Sequence, residues 1–324
     1  GQWKPIHDAN EKDPIDGYDV VTTLDVTMQD IAHHALLDQL REYNAEHGTV
    51  IVMETQTGFI KAVSNLSKSA NGQYREGYNY AIGESHEPGS TFKVMALLAA
   101  LEDGVIDTTD IVDTENGIVK FYGRSVRDSN RKGYGKITMA EATELSSNTA
   151  FAKTITDRYG QQPERFIERL EKMRVNQKTG ISLEGEGVPK IPHPDRKGWN
   201  GLSLPWMAFG YGVSLTPLQT LTFYNAIAND GVMVKPALVK AVKAWDKTLQ
   251  TFEPEIIQPQ IAKKENIKKV QKILENTVRF GTGKDLYSPN FSMAGKTGTC
   301  QTDYWTDSLS YISSFVGYFP ASSP

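Results

Sequence analysis

The chain has 324 residues, enough for one large domain or two modest ones with an ample core. Its 39% hydrophobic and 23% charged residues are ordinary for a globular protein, and a formal charge of −4 without a basic cluster argues against nucleic acid as a partner. One cysteine, Cys300, rules out an internal disulfide and a cysteine-rich metal site, and no apolar run approaches the ~18 residues that span a membrane.

Taken in order, residues 1–18 are polar, carry Pro5, Pro14 and Gly17, and read as a linker arm. Residues 19–24 form a short strand. A helix over about 26–44 follows, with Met28, Ile31, Ala35, Leu36 and Leu40 at helical spacing. His33 and His34 sit on it as neighbours, which diverge by ~100° and cannot share a metal; both read as surface residues. Neither His7, His47, His86 nor His193 shows ligand spacing. Residues 49–54 and 59–63 are β-branched runs around Thr55-Gln56-Thr57-Gly58, a hairpin signal. A polar loop then leads to 89.

The next stretch carries chemistry. Pro88-Gly89 breaks what precedes it, and every residue from Val94 to Leu101 is apolar, so a helix here has no wet face and belongs in the core. Gly104 is its expected C′ residue. Ser90 and Lys93 lie three apart in its first turn, on one face. A lysine at the mouth of a buried helix is costly unless paired or put to use. Desolvation and the positive helix N-terminus both favour its neutral amine. Ser90 reads as a nucleophile and Lys93 as its base. A second Ser-x-x-Lys, Ser129 to Lys132, lies in the charged run 127–133 with no apolar helix behind it and reads as a solvated loop.

Beyond Gly104 the chain reads as helical for a long stretch. Thr138-Met139-Ala140-Glu141 is a capping box, and its helix leads to Ser146-Ser147-Asn148. Residues 163–173 form an amphipathic helix with Phe166, Ile167, Leu170 and Met173 inward. Residues 178–212 are rich in Gly and Pro and read as a long ordered loop. Thr216-Pro217-Leu218-Gln219 opens another helix, ended by Asn229-Asp230-Gly231. One more spans about 265–280, with Ile267, Val270, Ile273, Leu274, Thr277 and Val278 on one side. Strand character returns only at 291–299 and 313–319. The expected class is α+β: a central antiparallel sheet closed by both ends of the chain, flanked by helices, with an all-helical lobe inserted. The sheet part covers about 19–90 and 285–324, and the lobe about 104–284.

Ser90 with Lys93, Ser146 with Asn148, and Lys296-Thr297-Gly298-Thr299 stand in an order that resembles the active-site motifs of penicillin-binding proteins and serine β-lactamases. Decoy copies at Ser69-Ala70-Asn71, Ser288-Pro289-Asn290 and Lys178-Thr179-Gly180 lie in polar loops or the Gly-rich segment. Glu87-Pro88-Gly89-Ser90-Thr91-Phe92-Lys93 resembles the class B, monofunctional transpeptidase form. Gly210-Tyr211-Gly212, Thr216-Pro217-Leu218-Gln219 and Ala228-Asn229-Asp230-Gly231 fit the same branch, and Ser314-Phe315-Val316-Gly317-Tyr318 matches the strand beside Lys-Thr-Gly. Cys300 departs from the pattern, which more often has a small residue there. The resemblance also implies a further strand and helix beyond Pro324.

The resemblance implies the penicillin-binding/β-lactamase-like fold over 19–324 and a peptidoglycan D,D-transpeptidase. Ser90 would be acylated by a stem peptide ending in D-Ala-D-Ala, with Ser146 relaying a proton, Asn148 holding the substrate amide and Lys296 supplying charge. Thr297, Gly298 and Thr299 would bind substrate, the Thr299 N–H joining that of Ser90 in an oxyanion hole. No metal or organic cofactor is implied. β-Lactams and membrane-embedded wall-synthesis proteins are the implied partners. The implied location is the extracytoplasmic, periplasmic face of the bacterial inner membrane, with an anchor upstream of Gly1. General similarity favours septal over elongation synthesis. A serine β-lactamase or β-lactam sensor, a D,D-carboxypeptidase and a silent scaffold are the rival readings. The Glu-x-x-Leu-Asn signature of class A β-lactamases is absent.

Overall fold

The computed structural model describes residues 16–130, 132–302 and 310–324. Most of the linker arm, His7 and the polar loop at 303–309 lie outside the described residues. Strand β1 (Asp19–Thr22) leads into α1 (Val26–Glu42), which Asp25 caps by accepting the Met28 N–H at 3.0 Å. α1 lies on the hairpin of β2 (His47–Met53) and β3 (Ile60–Lys68), burying Ala32 and Leu40. Periodicity located the helix but not its face: Ile31 is 66% and Met28 44% exposed. Nor is His33 purely a surface residue, since its Nδ1 meets the Ser64 hydroxyl at 3.0 Å. The hairpin turns at Gly58, whose φ of +73° and closeness to the Lys235 carbonyl exclude a side chain. β4 (Tyr74–Arg75) extends the sheet beside β3, and the short α2 (Tyr80–Gly83) follows.

A 3-10 turn, Gly89–Thr91, runs into α3 (Phe92–Glu102). Every residue from Phe92 to Leu101 is buried, as an all-apolar run dictates, and Gly104 ends the helix at φ +65°.

The described residues of 104–138 are not helical. β5 (Ile111–Asp113) pairs with β8 (Lys136–Thr138), and between them β6 (Ile118–Phe121) and β7 (Arg124–Arg127) form a hairpin. Positive-φ glycines at 117, 123, 133 and 135 chop the segment into pieces too short to propagate a helix. Tyr122 and Gly123 both take positive φ, the two-residue turn that suits hairpin twist.

The expected helices then follow. α4 (Met139–Glu144) carries the full Thr138/Glu141 capping box. α5 (Asn148–Tyr159) comes next, and α6 (Pro163–Lys172) buries Phe166, Ile167 and Leu170. The 178–212 segment is irregular apart from α7 (Ser203–Met207). It is ordered around Glu186, whose carboxylate accepts the N–H groups of Thr179 at 2.6 Å and Gly180 at 3.1 Å. α8 (Pro217–Ala228) has the Thr216/Gln219 capping box.

The lobe holds more strands still. β9 (Met233–Val234), β10 (Val239–Ala244), β11 (Lys247–Thr251) and β12 (Ile256–Gln258) precede α9 (Lys264–Arg279). β10 pairs with both β1 and β11, so β1 belongs to a separate sheet built with the lobe's own strands. The lobe is therefore mixed, although the α+β class and the inward faces of α6 and α9 hold. The chain closes with β13 (Ala294–Thr302) antiparallel to β14 (Ser310–Tyr318), Lys296 opposite Val316 and Thr299 opposite Ser313. Among the described residues β13–β14 and β2–β3–β4 are two sheets, not the single continuous one expected, because no described strand bridges them. One apolar core joins α3, α5, α6, α8 and α9 to Ala294 and Tyr318 at the end of that last hairpin.

Candidate active site

Three distant pieces of chain meet at the start of α3. Lys93 is wholly buried, and its Nζ lies 2.8 Å from Ser90 Oγ, 2.8 Å from the Ser146 carbonyl, 3.1 Å from Ser146 Oγ and 2.6 Å from Asn148 Oδ1. Helical spacing puts Lys93 next to Ser90; only the fold brings in 146 and 148.

The Ser146 turn links α4 to α5. Ser146 takes φ +58°, unusual for a residue with a side chain, and Ser147 caps α5 by accepting the Ala150 N–H at 3.1 Å. Asn148 Nδ2 donates to the Arg127 carbonyl at 2.8 Å. That contact decides the amide orientation, because a carbonyl can only accept, and so Oδ1 must face Lys93.

On the other side, β13 lies flat against the Ser90 turn. Gly89 has φ +54°, and a Cβ there would sit 2.9 Å from the Thr299 carbonyl oxygen. A side chain at Gly298 would strike Ser314 and Thr91. Gly298 is thus needed for close approach, which places the Thr299 backbone beside that of Ser90. Gly210 matters equally: its φ is +89°, and a Cβ would collide with the Gly89 carbonyl. Gly210→Ala should therefore cost more than ~1 kcal/mol of stability by thermal unfolding. An unchanged unfolding temperature would refute that packing.

Lys296 is also wholly buried, and its Nζ donates to the Thr297 carbonyl at 3.1 Å. Burial pushes its pKa down to about 7. Lys93 is held well below the ordinary lysine range, first by burial and then by the positive charge of Lys296, while Asp128 acts in the opposite direction. Thr297 meets Thr282 hydroxyl to hydroxyl at 2.6 Å, and Thr299 is exposed toward solvent. Cys300 is 2% exposed, with burial pushing its thiol up to about 12, so it packs as a small apolar residue. It lies against Glu87, which accepts the Gly212 N–H at 2.7 Å.

The second Ser-x-x-Lys is exposed at Ser129 and Lys132, as expected of a solvated loop, but Asp128, one residue before it, is 4% exposed and bonded to the turn after Ser146. Sequence reasoning also missed the Arg127 carbonyl, Thr282 and Glu87. Their contacts are long-range and leave no local pattern.

A serine hydroxyl held against a buried lysine amine, beside a strand edge and a helix start rich in N–H donors, is an arrangement for serine acyl transfer. The chain belongs to the penicillin binding protein transpeptidase domain family, which it matches over residues 48–324. It is similar to stage V sporulation protein D of Bacillus subtilis, at 29% identity over 100% of this chain and 51% of that protein. It is also 30% identical to penicillin-binding protein PbpB of Mycolicibacterium smegmatis, over 100% of this chain and 51% of the relative. Among solved structures it resembles penicillin-binding protein 3 from Mycobacterium tuberculosis complexed with ampicillin. There the TM-score is 0.83 and the identity 27%, covering 98% of this chain and 72% of the other. The chain spans about half the length of the curated relatives it matches.

Proposed function

We propose that this domain is a peptidoglycan D,D-transpeptidase acting through a Ser90 acyl-enzyme and inhibited by β-lactams. The observation that carries this reading is the hydrogen-bond arithmetic at Lys93. A neutral amine has two N–H bonds and one lone pair. The Ser146 carbonyl and Asn148 Oδ1 can only accept, so both N–H bonds are spent on them. The lone pair is left for a hydroxyl, and Ser90 Oγ, at 2.8 Å, is the nearer one.

Ser90 Oγ attacks the carbonyl carbon of the penultimate D-Ala of a stem peptide, and its proton passes to Lys93. The carbonyl oxygen becomes an oxyanion facing the Ser90 and Thr299 N–H groups. The C–N bond breaks, the amine of the terminal D-Ala leaves with a proton, and Ser146 is the relay for it. An amine of a second stem peptide then attacks the ester, frees Ser90 and completes the cross-link. Lys296 supplies positive charge, and Thr297 and Thr299 hold the substrate carboxylate. Asn148 has one N–H left for the substrate amide after bonding Arg127.

The substrate lies outside the cytoplasm, and the proposed setting is septal wall synthesis together with membrane-embedded partners. Among the described residues no helix is long and apolar enough to cross a membrane. Localisation of the whole protein to division sites is the check on the setting.

Deacylation by water needs a base aimed at the acyl carbonyl, and Lys93 and Ser146 are committed to the forward proton path. A penicilloyl adduct on the Ser90 peptide should therefore persist for hours after excess benzylpenicillin is removed, as read by intact-mass spectrometry. Loss of the added mass within seconds, with catalytic turnover of the drug, would make this a β-lactamase instead.

A further inference from the structure

The buried Asp128 has no part in the chemistry above, yet it holds the turn on which that chemistry depends. Its carboxylate accepts the Ser147 hydroxyl at 3.0 and 3.1 Å, the Thr149 N–H at 2.9 Å and the Thr149 hydroxyl at 2.7 Å. All three partners are donors, a set suited to an ionised acid. The preceding residue, Arg127, holds Asn148 through its carbonyl. Two consecutive residues at the end of β7 thus grip 147, 148 and 149.

The next residue back is Ser146, with its left-handed backbone, and its carbonyl and hydroxyl both meet Lys93. A non-glycine residue keeps such a conformation only where its surroundings over-determine it. Capping of α5 alone does not require the acid, since Ser147 already caps that helix by accepting from Ala150.

We propose that Asp128 is a positioning residue for acyl transfer: from the end of β7 its carboxylate holds Ser147 and Thr149, and through them Ser146 and Asn148, against the Lys93 amine. This rests on the reading of Lys93 as the base. Two charged groups bias Lys93: Lys296 on β13 disfavours its protonated form and Asp128 favours it. Tyr134, on the loop before β8, also lies in the field of Asp128.

The sign of the pH effect follows. Without the carboxylate, Lys93⁺ loses a stabilising partner and the neutral amine persists to lower pH. Second-order acylation by benzylpenicillin, measured from pH 5 to 10 on the parent, Asp128→Asn and Asp128→Ala, reads this directly. In Asp128→Asn the acid limb should move to lower pH. In Asp128→Ala the rate should also fall by up to ~10²-fold at every pH, because the turn loosens. A helix cap with no bearing on the reaction would leave both the rate and the acid limb of the two variants where the parent has them, and that result overturns the proposal.

If Asp128→Asn does not fold, Thr149→Val removes one donor and keeps the charge. Its rate should fall about tenfold with the limb unmoved, and a parental rate overturns the proposal. A parent that benzylpenicillin does not acylate sinks the serine–lysine reading itself, a different result from an acylated parent with an indifferent Asp128.

Discussion

The Ser90→Ala protein should take up no penicillin, although it should unfold within a few degrees of the parent. Ser90 Oγ lies 2.8 Å from a fully buried lysine amine, at the start of a helix and beside the β13 edge. The proposed nucleophile and base therefore meet at one hydroxyl, beside the strand and turn whose N–H groups are the proposed oxyanion donors. The nearest competitor, Ser146 Oγ, lies 3.1 Å from the same amine, in the α4–α5 turn and not at the start of the buried helix. Loss of the Ser90 hydroxyl leaves Lys93 bonded to the Ser146 carbonyl and Asn148, so the buried amine keeps partners and the fold survives. Labelling with a fluorescent penicillin, read on a gel beside thermal unfolding, settles it. Ser129→Ala should label like the parent, because Ser129 is exposed and no apolar helix follows it. Equal labelling of the parent and Ser90→Ala would end the assignment.

Lys93→Arg should lower the acylation rate by at least the ~10²-fold typical of a lost general base. Only a neutral side chain can accept the Ser90 proton, and a guanidinium stays charged across the accessible pH range. In the parent the acid limb should follow deprotonation of Lys93, so the rate climbs with pH and levels off once the amine is neutral. Because burial and Lys296 hold the Lys93 pKa well below the ordinary 10.5, that limb lies below the range of a free lysine. The arginine variant should lack the limb altogether. Lys296, at about 7, is the alternative base on titration alone, but it donates to the Thr297 carbonyl while Lys93 touches Ser90. A Lys93→Arg rate within a few-fold of the parent, keeping its pH dependence, would move the proton to another group.

The serine–lysine pair was legible because it is local. Residues three apart at a helix start share a face whatever the rest of the chain does, and an unbroken apolar run from Val94 to Leu101 can only be buried. Caps were legible for the same reason, and Thr138/Glu141 and Thr216/Gln219 both close as capping boxes. The strands at 111–138 and 233–258 were missed because each is two to six residues long, and such strands are decided by the partner they find. β1 shows the point most plainly: its partner is β10, more than two hundred residues away.

By itself the sequence determined the order of the three motifs and that Ser90 stands at the entry of a buried helix, three residues before Lys93. Tertiary structure alone decided that Lys93 would be shared among Ser90, Ser146 and Asn148, and that Arg127 would turn the Asn148 amide. It also decided that Asp128, in a run that reads as solvated, would be buried beneath that turn. The division has one physical cause. Helical spacing, capping and apolar periodicity act within a few residues, whereas a side chain's proton, its amide orientation and its solvent exposure depend on groups that approach only when distant segments pack.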